Sequence, residues 1–321
     1  MKDDVNFYDS VQKIFLGYSN DRLQTLITEN KKFAYYCSAD TAFNIIKNKE
    51  IWLRKITCMN DYQEVYYGYK KVKELLLNSQ LAGELNKFFS KKNIELTSET
   101  LYHEAIKYFN ELKTGIYIAC VTEHDKREDH IGRLSMWRAY GRGNGVAIIL
   151  NPQFSDAEIS SKGTRLVTSP VLYLSPDQTL DQEFKKILDR MNRYYDLIST
   201  WNKCEYINIF KFLIMVTIPS IKHYGFHEEV EWRYLLLKNR DAYGCSDTLE
   251  KNMVSINGIP QIIYKLKLNK ELKVSDILDK IIIGPVKYPD AIYDSFYELL
   301  KTIGISSPDD YIIQSSIPLR I

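Results

Sequence analysis

The sequence YGFHEEVEWRYLLL, residues 224–237, decides how the rest of the chain is interpreted. Charged and apolar side chains alternate along it, and a period of two is typical of a β-strand. We therefore predict one strand with Glu229, Glu231 and Arg233 on one face, directed into a polar cleft, and with Trp232 and Tyr234 in the core. The charged face has two readings: a solvent-exposed Glu–Arg ladder, or a pair of carboxylates that act together in the cleft.

The composition is that of an ordinary globular protein with enough apolar residues for a large core. The 321 residues are 45% hydrophobic and 26% charged, which are typical proportions. The net charge of +2 leaves a nucleic-acid role undecided, because dedicated binders carry a stronger basic excess. The 24 tyrosines permit stacking on a base or a nicotinamide ring without requiring it.

Cysteine usage and the absence of long apolar runs indicate the compartment. The five cysteines form no C-x-x-C motif, and an odd number of separated cysteines favours a reducing environment. Neither a signal peptide nor an apolar run of membrane-spanning length is present. We predict a cytoplasmic protein without membrane contact.

Local patterns predict an α+β chain that forms a single domain over residues 1–321. Helical periodicity predicts a helical N-terminal cover over residues 1–30, a solvated helical pair over residues 70–113 and inserted helices over residues 179–218. Strands are expected at Phe33–Cys37, Ile51–Leu53 and Gly115–Thr122 between them.

Several polar residues fit helix-capping positions, and capping alone would explain each of them. Ser38 or Asp40 suits the N-cap of a helix after the first strand, and Ser135 suits a short turn that holds Trp137, Arg138 and Tyr140. Asp61 and Glu64 have capping-box spacing.

No metal site is predicted. His124 and His130 are six residues apart and are expected to be solvated loop residues. Gly225 separates His223 from His227, which argues against a helix that presents both to zinc. No carboxylate set has metal-ligand spacing, so a nuclease is a weak alternative.

Taken together, these clusters resemble the bacterial domain-of-unknown-function family numbered 2971. Its pattern runs from an aromatic Y-x-S strand through an N-D segment and an S-x-W-x-x-Y-G turn to K-H-x-x-F-x-x-E-x-E-W-R. The resemblance covers residues 33 to 320 in the right order. The matching segments are Tyr35-Tyr36-Cys37-Ser38, Trp52-Leu53 through Asn60-Asp61, Ser135 to Gly141, Lys222-His223 through Arg233, Ile281 to Pro285, and Ser316 to Arg320.

That family distantly resembles the ADP-ribosyltransferase fold, which implies a split mixed β-sheet that grips NAD, here with a helical N-terminus and helical insertions. Members use three motif strands, with a His or Arg in the first, an aromatic or Ser in the second and a Glu, often in E-x-E, in the third. Tyr35 and Tyr36 stand where the first motif has His or Arg. Arg54 would supply that polar role from an adjoining strand.

The resemblance implies a role for each candidate residue. Glu231 or Glu229 would be catalytic, because a carboxylate beside the ribose stabilises the oxocarbenium-like state in which the nicotinamide bond breaks. Trp137 or Tyr140 would stack on the nicotinamide, and Arg138 or Arg233 would bind the pyrophosphate. The implied NAD-binding residues are Tyr35, Tyr36, Ser38, Arg54, Asn60, Ser135, Trp137, Arg138, Tyr140 and Arg233.

Two functions remain open. The first is an NAD-dependent ADP-ribosyltransferase or NAD glycohydrolase, a bacterial toxin or phage-defence effector with NAD as co-substrate and with a nucleic-acid or protein acceptor. An antitoxin or another defence-system protein would be its partner. The second is a non-catalytic ligand-binding or protein-interaction module in which the same charged residues form a structural ion network. If the chain is an NAD-cleaving enzyme, we expect one pocket to be lined by Tyr36, Asn60, Trp137, Tyr140 and Glu231.

Overall fold

A computed structural model describes residues 10–58, 62–141, 143–152, 166–237, 249–256, 258–267 and 273–318. Residues 10–15 are helical. The other α-helices of the described chain are Gly17–Thr28, Ala39–Asn48, Tyr62–Asn78, Gln80–Lys91, Ser98–Leu112, Leu134–Met136, Leu180–Arg193, Tyr195–Ile198, Lys203–Thr217, Val274–Ile277 and Pro289–Thr302.

Strands of the described chain form a large mixed sheet and a small parallel one. They are β1 Lys32–Ser38, β2 Glu50–Lys55, β3 Ile116–His124, β4 Gly145–Leu150, β5 Leu166–Pro170, β6 Leu172–Leu174, β7 Ile221–His223, β8 Glu231–Leu237, β9 Glu250–Ile256, β10 Ile259–Lys267, β11 Leu278–Ile283 and β12 Ile312–Gln314. The large sheet has the order β12-β11-β4-β1-β3-β2-β10-β9, and β8 pairs with β3 and β5. β11 and β12 are parallel, while β1 is antiparallel to both β3 and β4. The predicted α+β class with a mixed sheet is confirmed.

Contacts between Cα atoms divide the chain into two compact units, each built from three sequence segments. We call Met1–Gln24, Lys55–Ile116 and Ser169–His227 the helical unit, and Thr25–Arg54, Tyr117–Thr168 and Glu228–Ile321 the sheet unit. The predicted helical segments at residues 70–113 and 179–218 both fall in the helical unit. The single domain over residues 1–321 stays a prediction.

Helices of the helical unit are defined by caps and by apolar faces. The side chains of Thr179 and Asn202 each complete a capping box at a helix start, which satisfies backbone N–H groups that lack helical partners. Phe184, Leu188 and Met191 follow at helical spacing and are buried. The solvated helical pair predicted over residues 70–113 is wrong, because three helices with buried faces occupy that region.

Gly68 lies against the backbone of Ile218 in the helical unit. A Cβ atom at this position would lie inside contact distance of the carbonyl oxygen of Ile218. We expect Gly68→Ala to lower the free energy of unfolding by about 1–3 kcal/mol, since backbone must move to relieve the overlap.

Gly83 is the matched control because it also lies in a helix but has no atom within 4 Å of the added Cβ. Gly83→Ala should raise the free energy of unfolding by up to about 1 kcal/mol through helix propensity. Urea titrations of both variants measure these changes, and equal effects would contradict the packing described for Gly68.

The described residues contain no helix that is long and apolar enough to span a membrane.

Candidate functional site

The chain enters β8 through a backbone conformation that differs from the predicted strand. Tyr224–Glu229 form a 3₁₀ helix, and the strand begins only at Glu231. Val230 between them has φ +41°, which is strained for a β-branched residue and costs about 1–3 kcal/mol. The prediction that Glu229 shares a strand face with Glu231 and Arg233 is therefore wrong. The predicted burial of Trp232 and Tyr234 is confirmed.

Glu231 and Arg233 form a buried two-point ion pair. Arg233 Nε donates to Glu231 Oε1 at 2.8 Å, and Nη2 donates to Oε2 at 3.1 Å. Their side chains are only 7% and 5% exposed. The two residues do share a strand face, as predicted, but they are buried rather than open to a cleft. A buried pair of this kind holds the carboxylate in one orientation.

Arg133 fixes the backbone that leads into β8. Its Nη1 donates to the carbonyl oxygen of Glu228 at 2.8 Å and to Thr122 Oγ1 at 2.8 Å. Nε and Nη2 hold the two carboxylate oxygens of Glu128, each at 2.9 Å. The Thr122 hydroxyl in turn donates to the carbonyl of Glu229. These contacts hold the strained residue directly before Glu231 in place.

Strand alternation shows which side of the sheet carries Glu231. Trp232 Nε1 donates to Glu123 Oε1 at 2.9 Å, and the Trp232 ring meets Phe33 at 5.6 Å between centroids, so these three share one face. Neighbours along a strand point to opposite faces. Glu231 therefore lies on the face that carries Thr122, where Arg133 also binds.

Tyr36 and Trp137 pack together on that same face. Their ring centroids are 4.7 Å apart in an edge-to-face arrangement, and Tyr140 packs against the cluster. The Tyr36 hydroxyl accepts a hydrogen bond from the Arg133 N–H at 2.9 Å, which ties the cluster to the β8 entry. Burial raises the pKa of the Tyr36 hydroxyl, an effect that the nearby Glu128 carboxylate strengthens.

The candidate ligand-binding residues of the S-x-W-x-x-Y-G turn differ in burial. Trp137 is only 3% exposed, and its Nε1 donates to the carbonyl of Ile131 at 2.9 Å. Tyr140, the other residue with a predicted stacking role, is half-buried, and Arg138 is exposed. Trp137–Gly141 form a π-helical turn, a local irregularity common at functional sites.

Ser135 lies inside the short helix Leu134–Met136, so its predicted capping role is wrong. Its buried hydroxyl oxygen makes no hydrogen bond within the described chain.

Tyr35 and Arg54 are electrostatic neighbours although they are not on adjoining strands. β3 lies between β1 and β2 in the sheet order, so the predicted direct adjacency is wrong. Burial raises the pKa of the Tyr35 hydroxyl, as do Cys37 and Cys120, while Arg54 acts in the opposite direction. Arg54 also donates to Gln261 Oε1 through Nε at 3.3 Å and Nη2 at 3.1 Å.

Of the remaining candidates, Ser38 has a structural role. Its Oγ accepts the Thr41 N–H at 3.3 Å as the predicted N-cap of helix Ala39–Asn48. Asn60 lies outside the described residues.

The prediction that His124 is a solvated loop residue is wrong, since it ends β3 and is 1% exposed. Its Nε2 donates to Asp129 Oδ1 at 2.8 Å, and Lys280 Nζ donates to Asp129 Oδ2 at 2.7 Å. Burial alone would raise the pKa of Asp129, but the hydrogen bonds from Lys280 and His124 outweigh it and hold that pKa below its usual value. The sequence pattern does not predict that Lys280 binds Asp129, because the two residues are 151 positions apart.

A depressed carboxyl pKa has a defined consequence for stability. The contribution of Asp129 is fully present above the ordinary Asp pKa of about 4 and is lost as the pH falls through its lower folded value. We expect the unfolding midpoint to fall on acidification below about pH 4 more steeply in the wild type than in Asp129→Asn. Urea titrations across that range measure the difference, and parallel curves would show that Asp129 does not contribute.

A second missed pair lies in the helical unit. Lys222 Nζ is 2.9 Å from Glu64 Oε1, and their side chains are 2% and 10% exposed. The Lys222 ammonium also lies 5.3 Å from the centroid of the Phe226 ring. Glu64 was interpreted as a capping residue, whereas the structure pairs it with a motif lysine far away in sequence. Removing either partner would deprive the other of a buried ion-pair contact.

Among the described residues, no group of three His, Cys, Asp or Glu side chains is placed to hold a metal ion. In the sheet unit, a polar cleft of about 400 Å³ lies beside the β8 entry, with Val230, Arg133 and Glu128 among its walls.

One family model is similar to the central part of the chain. Residues 136–234 match the family model described as "Protein of unknown function (DUF2971)". The match contains the Trp137 turn, the 3₁₀ segment and the Glu231–Arg233 pair. No curated protein and no solved structure matches the chain significantly. The wider resemblance over residues 33 to 320 stays a prediction.

Proposed function

We propose that the chain cleaves the bond between nicotinamide and ribose in NAD, as an ADP-ribosyltransferase or NAD glycohydrolase of ADP-ribosyltransferase-like fold. The observation that carries the proposal is the Glu231 carboxylate, which is buried, bound at two points by Arg233 and placed directly after a strained residue. Strained residues that surrounding contacts hold in place concentrate at functional sites.

The arrangement of strands is compatible with a split sheet. β3 pairs with both β1 and β8, so the first-motif strand and the strand of Glu231 flank a common neighbour. The register between β1 and β3 runs only from Lys32↔His124 to Ala34↔Thr122. Tyr35 and Tyr36 continue β1 directly beyond this register, opposite β4.

The chemistry follows from the charge and the position of Glu231. Its carboxylate would accept a hydrogen bond from the ribose and stabilise positive charge at the anomeric carbon as the C–N bond breaks. Nicotinamide leaves with the bonding electrons, and a nucleophile, either water or an acceptor group, adds to the sugar and releases a proton.

Neighbouring groups fit the rest of the dinucleotide. Tyr140 offers a half-buried ring for the nicotinamide, and the buried hydroxyl of Ser135 lacks a hydrogen-bond partner in the described chain. Arg138 is exposed and available to the pyrophosphate. The acceptor is nucleic acid or protein, and the biological role is that of a bacterial toxin or phage-defence effector restrained by an antitoxin or another defence-system protein.

A second candidate function rests on the burial of the Glu231–Arg233 pair. Two charges that bind each other in a buried site also suit a non-catalytic module, in which the pair only organises the fold. Calorimetric titration with NAD, together with chromatographic measurement of free nicotinamide, separates the two. Binding with release supports the enzyme, and binding without release supports the module.

A further inference from the structure

The helical unit contains an apolar cavity of about 130 Å³. Its walls come from residues 15–19, 72–76, 169–172, 180–187, 210–217 and 220–221. Three phenylalanine rings and a set of Leu, Ile and Val side chains form most of the lining. An apolar cavity of about 150 Å³ engineered into another protein binds benzene, so this volume suits one aromatic ring.

Within the described chain, the Ser220 hydroxyl in this wall has no hydrogen-bond partner. Ser220 is only 4% exposed. Ser169, in the same wall, is equally buried, but its hydroxyl donates to the carbonyl of Pro170 at 3.3 Å. A buried hydroxyl without a partner is unfavourable, and a ligand that completes its hydrogen bond gains affinity.

Charge in the lining is already compensated. Glu183 is the acidic residue of the wall, and its carboxylate accepts a hydrogen bond from Lys186 Nζ at 2.8 Å. Burial of a further charge in an apolar cavity is strongly unfavourable. The cavity therefore favours a neutral ligand.

We propose that this cavity is a binding site for a small neutral molecule of about one aromatic ring that carries one hydroxyl or similar hydrogen-bonding group, held by Ser220. The site lies entirely in the helical unit and is independent of the NAD chemistry proposed for the sheet unit. Because its walls come from six separated segments, an occupant would hold those segments together and stabilise the unit.

Phenol and toluene test the proposal as two probes of nearly equal shape. In calorimetric titrations of the full chain, phenol should bind about fivefold more tightly than toluene, the ratio expected for one hydrogen bond. Ser220→Ala should remove this preference. Ser169→Ala is the matched control and should leave it unchanged, because the Ser169 hydroxyl is bonded to the backbone. Absence of binding by both probes, or a preference that survives in Ser220→Ala, would overturn the proposal.

A cavity-filling variant provides a second readout. Leu213 is half-buried in the wall, so Leu213→Trp should fill the space and abolish binding of both probes. Both probes should also raise the unfolding temperature of the wild type but not that of this variant. Wild-type affinity in a folded Leu213→Trp protein would place the probes elsewhere and refute the assignment. Should this variant not fold, the Ser220→Ala ratio alone decides.

Discussion

Glu231→Gln is expected to lower the rate of nicotinamide release from NAD by about two to three orders of magnitude. Glutamine keeps the shape of the side chain but removes the negative charge that stabilises the developing oxocarbenium. Affinity for NAD should change little, because the loss falls on the transition state. Initial rates of release and calorimetric binding of NAD measure the two quantities.

Glu229→Gln is the control for this result. Glu229 ends the 3₁₀ segment and does not share the strand face of Glu231, so its substitution should reduce the rate much less. A larger loss for Glu229→Gln would show that Glu229, and not Glu231, is the catalytic carboxylate. Equal, small losses would favour the non-catalytic module. A circular-dichroism melt of each variant guards against unfolding, since Glu231→Gln also weakens the pair with Arg233.

Arg133→Met is expected to lower the free energy of unfolding by about 3 kcal/mol, because it removes the half-buried donor that binds the Glu128 carboxylate and the Glu228 carbonyl. The Arg133 side chain is 18% exposed. The variant should also lose most of the enzymatic rate, since the strained backbone before Glu231 would relax. Arg133→Lys should rescue little, because lysine keeps the charge but not the planar fork of donors.

Arg127→Met is the matched control. Arg127 binds Asp125 through the same two-point geometry, with both distances 2.9 Å, but its side chain is 88% exposed. Such an exposed pair contributes little, so the urea midpoint should not move. If the two variants lowered stability equally, burial would not explain the role of Arg133.

Features that depend on residues close together in the sequence could be predicted, whereas long-range contacts could not. Alternation along residues 231–237 correctly predicted the burial of Trp232 and Tyr234, because side-chain period is a property of the strand itself. The Ser38 cap was also predictable, since its partner Thr41 lies three residues away. Both features depend only on neighbouring residues.

Long-range contacts decide the rest of the site. The 3₁₀ conformation before Glu231 is held by Arg133, and nothing in residues 224–229 encodes that partner. His124 appears solvated in the sequence because Lys280, which completes its buried network with Asp129, lies far along the chain. Charged residues in loop sequences are usually exposed, so this burial becomes visible only when distant strands are paired.

Release of nicotinamide by the wild-type chain tests the central claim most directly. Purified protein is incubated with NAD, with and without nucleic acid, and free nicotinamide is quantified by chromatography over time. We expect nicotinamide to accumulate in proportion to protein concentration. At the same concentration, Glu231→Gln should abolish nearly all of this accumulation. A wild-type protein that leaves NAD intact and shows no heat of NAD binding would contradict the account.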